Sequence, residues 1–298
     1  MRIHHLNCGS MCPLGGRFWD GFSHGLSSHL VCHCLAIETN EGLVLVDTGF
    51  GTKDILYPEK RFSPYFRRLN RVQLEPERTA LRQIQRLGFN QEDVRHIVLT
   101  HLDFDHAGGI SDFPQAQVHV LKAELNAASQ PQSWLDRNRF SPEQWGDVKK
   151  WQTYFSEGER WFGFESVRDL KGLPPEILLI PLVGHTWGHS GVAVQTDQGW
   201  LLHAGDAYFF REEMNPKNPY CTPGLRFYQT MMDQDRKSRL MNQRKLRQLL
   251  QTQGQQVHIF SAHDALELEF FQKAEKVESI HPRHPMILPN MDLPRPNL

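Results

Sequence analysis

Five short apolar runs, each followed within a few residues by a histidine or an aspartate, constrain the fold of this chain more than any other feature. They are "LVLV" before Asp47, "HIVLT" before His101, "ILLIPLVG" before His185, "WLLHAG" before Asp206 and "VHIFSA" before His263. Runs of this length that are rich in Val, Ile and Leu predict buried β-strands. Because sites in layered α/β architectures assemble where strands end and loops converge, we expect the five polar side chains to lie close together.

The densest part of this pattern is "HLDFDH", which places two histidines and two aspartates within six residues. Side chains alternate in an extended segment, so His101, Asp103 and Asp105 are predicted to share one side, with a turn that brings His106 toward a neighbouring point. Imidazole and carboxylate ligands together suit Zn²⁺, Fe or Mn, whereas oxygen-only sets suit Mg²⁺ or Ca²⁺. A catalytic zinc ion takes about three protein ligands plus water. The candidates exceed three, which favours two divalent transition-metal ions sharing a bridging carboxylate.

The segments around these strands predict hairpins and helices. "VCHCLAIE" and "LVLVDTG" flank the turn residues "TNEG", and "GVAVQTD" precedes "GWLLHAGD" in the same order, so two similar β-hairpins are expected. Residues 76–88, with Leu81, Ile84 and Leu87 on one face, and residues 236–252 predict amphipathic helices. No low-complexity linker separates the two β-rich halves, and we predict a single domain over residues 1–298.

Composition excludes several classes of function. The 298 residues suffice for one large domain, and Lys+Arg 33 against Asp+Glu 34 gives a net charge of -1, so no nucleic-acid partner is expected. Nothing approaches the roughly 18 apolar residues of a membrane span, and the N-terminus "MRIHHLNCGS" lacks the apolar core of a secretory signal. The 5 cysteines stand at no zinc-finger spacing and predict reduced thiols in a cytoplasmic protein.

The order and spacing of the motifs resemble those of the metallo-β-lactamase superfamily, whose hallmark is a His-x-His-x-Asp-His run followed by a distal His, Asp and His. The matching segments are "VDTG", "THLDFDHAGG", "VGHTWGHSG", "HAGDA" and "SAHD", which extend over most of the chain. The forms "GHTWGHSG" and "SAHD" are most similar to the N-acyl-homoserine lactonase branch. The resemblance implies an α+β fold, an αβ/βα four-layer sandwich in which two β-sheets pack face to face with helices outside.

The resemblance also implies metal ligands in two sets. The first set is His101, Asp103 and His185, the second is Asp105, His106 and His263, and Asp206 bridges them. Asp103 departs from the family pattern, in which a histidine stands at this position. It would either ligate, giving a harder first site that suits Fe or Mn, or leave that site weak so that one ion dominates; ligation is our preferred prediction. Zinc is the favoured ion.

The implied chemistry is hydrolysis of a small ester-like substrate, with lactone favoured over thioester or open ester. A metal-bound hydroxide would attack the carbonyl, with Asp105 as proton carrier and Tyr208 as hydrogen-bond donor to the substrate. Asp47 and His189 are expected behind the ligands. Two alternatives stay open. Di-iron oxidoreductases of the superfamily, which reduce oxygen or nitric oxide, also have a carboxylate at the position of Asp103, and a non-catalytic relative would keep the fold for binding.

The segment from about 129 to 172 is predicted as a Trp-rich helical insertion between the second and third ligand groups. It contains Trp134, Trp145, Trp151 and Trp161. These side chains would cap a pocket for an acyl chain, form the core of an extra helical layer, or form the surface of a homodimer. The sequence leaves these alternatives open. The only partner predicted directly is a small-molecule substrate.

Overall fold

The computed structural model describes residues 1–165 and 170–280. The strands in this part are β1 (Ile3–Met11), β2 (Leu30–Thr39), β3 (Gly42–Val46), β4 (Val72–Gln73), β5 (Val94–Val98), β6 (Gln117–Leu121), β7 (Trp151–Tyr154), β8 (Arg160–Trp161), β9 (Phe164–Glu165), β10 (Ile177–Pro181), β11 (Ser190–Thr196), β12 (Gly199–His203) and β13 (Val257–Phe260). The α-helices are α1 (Arg17–Asp20), α2 (Thr52–Leu56), α3 (Pro58–Arg61), α4 (Pro64–Asn70), α5 (Ala80–Arg86), α6 (Phe104–Ala107), α7 (Lys122–Ser129), α8 (Trp134–Arg139), α9 (Pro142–Trp145), α10 (Pro223–Met232), α11 (Arg236–Gln253) and α12 (Ala265–Ile280).

Two mixed sheets contain most of the strands. The first has seven strands in the order β4-β1-β2-β3-β5-β6-β7, and the second has four in the order β10-β11-β12-β13. The two predicted hairpins, β2–β3 and β11–β12, pair antiparallel and are confirmed. Strand β5 runs parallel to both β3 and β6, and β13 runs parallel to β12. In each sheet, the carboxyl ends of these neighbouring strands therefore lie side by side.

The two sheets pack face to face, and helices cover their outer faces. One apolar cluster joins Leu35 and Val46 of the first sheet to Leu179 and Val192 of the second. Neighbouring residues on the same strands point the other way, because side chains alternate along a strand. The outer cluster of the first sheet includes Ile84 of α5, and that of the second includes Leu246 and Leu249 of α11. The predicted α+β four-layer sandwich is confirmed.

The helix predicted over residues 76–88 is shorter than expected. A 3₁₀ turn, Pro76–Arg78, precedes α5, and the Thr79 hydroxyl accepts a hydrogen bond from the Arg82 backbone N–H at 3.2 Å, which caps the helix start. The helix ends before Leu87, whose side chain is 40% exposed. Leu87 therefore lies just past the end of the helix, and the face predicted for Leu81, Ile84 and Leu87 is buried at Ile84 but not at Leu87.

The segment from 129 to 172 is helical only in its first half. After α8 and α9 the chain becomes extended, and β7 adds to the edge of the first sheet by parallel pairing with β6, whose open edge would otherwise leave backbone groups unpaired. Trp145 lies in the outer core of the first sheet, and Trp161 in that of the second. These two side chains are core residues rather than a pocket cap. The side chain of Trp134 and residues 166–169 lie outside the described part.

Two further predictions are tested in part by the described residues. None of the described helices combines the length and the apolar character needed to cross a membrane. All five cysteines are free thiols. That residues 1–298 form a single domain stays a prediction, because residues 281–298 fall outside the described ranges.

His4 ties β1 to α12 and gives a testable dependence of stability on pH. Its Nε2 lies 2.7 Å from a carboxylate oxygen of Glu38, and its Nδ1 lies 2.6 Å from one of Glu275. Burial opposes charge on the ring, but the hydrogen bonds to Glu275 and Glu38 raise the pKa of His4 above its usual value. A raised pKa contributes stability below the unfolded value of about 6.5, and this stability is lost as pH rises through the folded pKa.

We expect His4→Gln to lower the free energy of unfolding by about 1 kcal/mol at pH 6, and by less at pH 9, because the contribution of the charged ring is lost as pH rises through the folded pKa. Urea unfolding at both pH values measures the difference. The pKa of Glu275 is lowered by His4 despite burial, so pH 6 also keeps this carboxylate charged. An equal loss at both pH values would show that the charged imidazole contributes nothing.

Candidate metal centre

The polar residues that follow the five strands come together where these strands end. Asp47 follows β3 directly, His101 follows β5, and His185, Asp206 and His263 follow β10, β12 and β13. Two groups of side chains have donor atoms that lie within 4.8 Å of one another, and these are His101 with His185 and Asp206, and Asp105 with His106 and His263. All six are buried. The residues that the sequence singled out as candidate ligands are thus brought together.

The run "HLDFDH" is extended only as far as Asp103. Helix α6 begins at Phe104, and the backbone carbonyl of Asp103 accepts hydrogen bonds from the N–H groups of His106, at 3.0 Å, and Ala107, at 2.9 Å. The prediction that His101, Asp103 and Asp105 share one side of an extended segment is therefore wrong beyond Asp103. The helical turn instead brings Asp105 into the same group as His106.

The second group surrounds one oxygen of Asp206. Nε2 of His263 lies 3.1 Å from Oδ1 of Asp206 and 3.6 Å from Oδ2 of Asp105, and Nε2 of His106 lies 3.4 Å from Oδ1 of Asp206. Nδ1 of His106 donates to Asp47 at 2.7 Å, and Nδ1 of His263 donates to the backbone carbonyl of Val31 at 2.7 Å. With the proton on Nδ1, the Nε2 lone pair of each ring points into the group.

The first group surrounds the other oxygen of Asp206. Its Oδ2 lies 3.2 Å from Nε2 of His185 and 3.7 Å from Nε2 of His101. Nδ1 of His101 donates to the hydroxyl of Thr100 at 2.9 Å, and this hydroxyl in turn donates to Asp47 at 2.7 Å. One carboxylate, Asp47, therefore orients a histidine of each group, as expected for a residue behind the ligands.

Buried polar atoms without partners show that the two groups fit a cation. Nε2 of His101, Nε2 of His106 and Oδ1 of Asp206 are buried and make no hydrogen bond, which is rare in folded proteins. Burial alone would lower the pKa of His106, but Asp206, Asp47 and Asp105 together raise it well above its usual range. Unpaired imidazole nitrogens facing an excess of carboxylate charge are the donor set that a divalent transition metal requires.

Asp103 lies beside the first group but also pairs with an arginine that the sequence did not single out. Its Oδ2 lies 3.2 Å from Nε2 of His185 and 3.4 Å from Nε2 of His101. Nε of Arg139, at the end of α8, lies 3.0 Å from the same oxygen and 2.9 Å from Oδ1. Burial alone would raise the pKa of Asp103, but Arg139 and His101 hold it well below the usual range. Nothing in the sequence separates buried Arg139 from exposed Arg137 on the same helix.

Tyr208 does not lie at the site, contrary to the sequence prediction. Its side chain is fully buried in the outer core of the second sheet, and its hydroxyl donates to Glu267 at 2.9 Å. The tyrosine beside the site is Tyr228 of α10. Burial raises the pKa of its phenol well above the usual value, and the next contribution comes from the Asp105 carboxylate. The ring of Tyr228 lies 5.8 Å from that of Phe209, which stacks on His263 at 4.9 Å.

His189 supports the site without facing it. Its Nδ1 donates to the backbone carbonyl of Leu182 at 2.9 Å, and its Nε2 accepts from the backbone N–H of Asp206 at 2.8 Å. Both ring nitrogens are therefore occupied, and His189 fixes the position of Asp206 from behind.

Comparisons with known proteins agree with this geometry. The model of the metallo-β-lactamase superfamily matches residues 28–251. A probable metallo-hydrolase of Mycobacterium tuberculosis is 38% identical over 266 residues, which cover 89% of this chain and 80% of the relative. An N-acyl homoserine lactonase of Bacillus cereus is 28% identical over 193 residues, or 63% of this chain and 68% of the relative.

Solved structures resemble the fold. A mutant of AiiA from B. thuringiensis, with N-decanoyl-L-homoserine bound at the active site, aligns with a TM-score of 0.66 at 20% identity, over 90% of this chain and 94% of that one. AidC, a dizinc quorum-quenching lactonase, aligns with a TM-score of 0.55 at 18% identity, over 88% and 86% of the two chains.

The chain belongs to the metallo-β-lactamase superfamily. Within it, the chain is a metal-dependent hydrolase.

Proposed function

We propose that the protein opens a small lactone by hydrolysis, using two divalent transition-metal ions, with zinc favoured over iron or manganese. The observation that supports this most directly is the position of Asp206, whose two oxygens face two separate groups of buried histidine and carboxylate donors. The first group, with Asp103 beside it, and the second group would each hold one ion. The lactonases among the relatives favour a lactone over other esters.

The residues of the chain would then have separate roles in the reaction. A bound divalent ion supplies Lewis acidity and lowers the pKa of water at the site. In the reaction, the water oxygen adds to the carbonyl carbon, the ring C–O bond breaks, and the proton of the water passes to the departing alkoxide. Asp105, whose Oδ2 lies 3.6 Å from Nε2 of His263, is placed to carry that proton.

An aromatic cluster next to the metal centre supports a substrate with an apolar portion. Phe104 stands between Asp103 and Asp105 and packs against Phe66 with ring centroids 4.2 Å apart. Phe209 belongs to the same cluster and stacks on His263. Phe66 and Phe104 are half-buried, whereas Phe209 is buried. Apolar rings beside a few polar groups are typical of small-molecule sites. An acyl-homoserine lactone has this shape.

A substrate panel tests the proposal. Protein stripped with a chelator and then loaded with Zn²⁺, Mn²⁺ or Co²⁺ should open acyl-homoserine lactones of several chain lengths faster than thioesters or aryl esters. The chelated protein should be inactive. Absence of hydrolysis across the whole panel by metal-loaded protein would refute the proposal. The oxidoreductase alternative has no support in the comparisons. The Asp103 carboxylate, on which that alternative is based, forms an ion pair with Arg139.

The two tyrosines should respond differently to removal of the hydroxyl. Tyr208→Phe should leave kcat/KM unchanged but lower the free energy of unfolding by about 1–3 kcal/mol, because buried Glu267 loses a donor. Tyr228→Phe should lower kcat by about tenfold with little change in stability, since the Tyr228 ring neighbours Phe209, which stacks on His263. Steady-state kinetics and urea unfolding of both variants separate the effects. A loss of activity in Tyr208→Phe alone would restore the original assignment.

Two coarser predictions complete the proposal. The five free thiols are compatible with the reducing cytoplasm, which we propose as the location. Assembly into a homodimer stays a prediction. Sedimentation of the purified protein measures its mass in solution.

A further inference from the structure

We infer that Arg139 makes the two metal sites unequal, so that the protein holds one divalent ion tightly in the group of Asp105, His106 and His263 and a second ion only weakly beside His185. The inference rests on the proposed metal centre and concerns how many ions it retains, not which substrate it opens.

The first reason is competition for one lone pair. Nη2 of Arg139 lies 2.8 Å from Nε2 of His185. A guanidinium group only donates hydrogen bonds, so Nε2 of His185 must be the acceptor. A metal ion would need the same lone pair. Binding of a metal ion at the first group therefore requires this hydrogen bond to break, although Nε2 of His101 has no partner. In the second group, Nε2 of His106 has no partner, and Nε2 of His263 lies 3.3 Å from Asp206, a proposed metal ligand and not a fixed cation.

The second reason is charge. The Asp103 carboxylate, the feature that distinguishes the first group, is paired with Arg139 and so offers little net negative charge to a cation. In the second group, Asp105 and the near oxygen of Asp206 face the two histidines, and no arginine or lysine among the described residues forms an ion pair with either carboxylate. A divalent ion is repelled by a fixed guanidinium at close range and attracted by unpaired carboxylates.

The third reason is that Arg139 is held in place. Its Nη1 donates to two backbone carbonyls, those of His185 and Met232, each at 2.9 Å. The side chain is 2% exposed. An exposed arginine would swing toward water when a cation binds, but this one lacks a free path and would lose several buried hydrogen bonds. Its position beside His185 is therefore part of the fold.

The test is a calorimetric titration of metal-free protein with Zn²⁺, which measures the affinity of each site. Elemental analysis after dialysis against a zinc buffer then counts the zinc ions that each chain retains. We expect the parent protein to retain one ion per chain and to bind a second at least tenfold more weakly. Arg139→Met should tighten the weaker site by about tenfold or more. Arg137→Met, at an exposed position of the same helix, is the matched control and should leave both sites unchanged.

If Arg139→Met fails to fold, the zinc content and zinc affinities of the parent protein test the inference by themselves. Two equally tight ions per parent chain would overturn it, as would an unchanged weak site in a folded Arg139→Met variant. A single tight ion combined with no hydrolysis of any lactone would uphold the inference and refute the proposed substrate. Hydrolysis of lactones by a protein with two equally tight ions would do the reverse.

Discussion

Replacing Asp206 by asparagine should lower kcat/KM by about 10³-fold or more and remove most of the bound metal. The two oxygens of Asp206 face the two groups, Oδ1 at 3.1 Å from His263 and Oδ2 at 3.2 Å from His185. A metal ion in a hydrolase supplies several kcal/mol of transition-state stabilisation, and each 1.36 kcal/mol is about tenfold in rate. Loss of the shared carboxylate affects both ions at once.

The metal-free protein should be modestly destabilised by this change. Burial alone would raise the pKa of Asp206, but His263, His106 and His185 hold it well below the usual range. An amide of the same shape loses these charge interactions, while the backbone N–H of Asp206 keeps its bond to His189. Kinetics, elemental analysis and thermal unfolding of the metal-free form together measure the effect. Asp197→Asn, in the exposed turn between β11 and β12, is the control. Full activity and full metal content in Asp206→Asn would exclude a role as bridging ligand.

The position of the metal centre could be predicted because the end of a strand is visible in the local sequence, and the pairing of strands then brings distant ends together. An apolar run ending in Asp47 or His101 identifies a strand and its carboxyl end, and β3 and β5 then run parallel, so that the two ends meet. Asp206 and His263 come together in the same way, because they follow the parallel strands β12 and β13. Once the strands were recognised, the geometry of a parallel pair placed the ligands.

Arg139 could not be predicted, because its role depends on contacts remote in the chain. It reaches Asp103 across 36 residues, His185 across 46 and Met232 across 93. No periodicity distinguishes an arginine that points inward from the end of a short helix. Tryptophans are the prominent feature of the surrounding sequence, whereas the contribution of this segment to the site is the guanidinium cation of Arg139.

The two tyrosines show the same limit of sequence-based prediction over a shorter distance along the chain. The sequence places Tyr208 two residues after Asp206, but the chain turns its side chain toward Glu267 and the outer core. Tyr228 lies on a separate helix, α10, and follows Asp206 by 22 residues in the sequence. Distance along the chain predicts neighbours within a strand or helix, whereas packing of separate elements decides which side chains face the site.

Replacing Asp47 by asparagine should weaken metal binding by about 10–100-fold without abolishing activity when zinc is in excess. Asp47 touches no ligand atom of the metal groups, yet it accepts hydrogen bonds from Nδ1 of His106 at 2.7 Å and from the backbone N–H of Thr100 at 2.8 Å. Burial alone would raise the pKa of Asp47, but the neighbouring His106 lowers it, so the carboxylate is charged at neutral pH and makes His106 a stronger donor. An amide keeps the shape and loses the charge.

Asparagine is also the substitution that the backbone tolerates. Asp47 has φ 56°, in the left-handed region where Asn and Asp are the favoured residues other than glycine. Activity measured across a range of buffered zinc concentrations should therefore shift to higher zinc and reach nearly the parent maximum. Asp112→Asn is the matched control, since Asp112 also accepts from a threonine N–H and hydroxyl but lies away from the metal groups. If activity of Asp47→Asn stayed low at saturating zinc, Asp47 would have to act on the reaction itself and not through the orientation of His106.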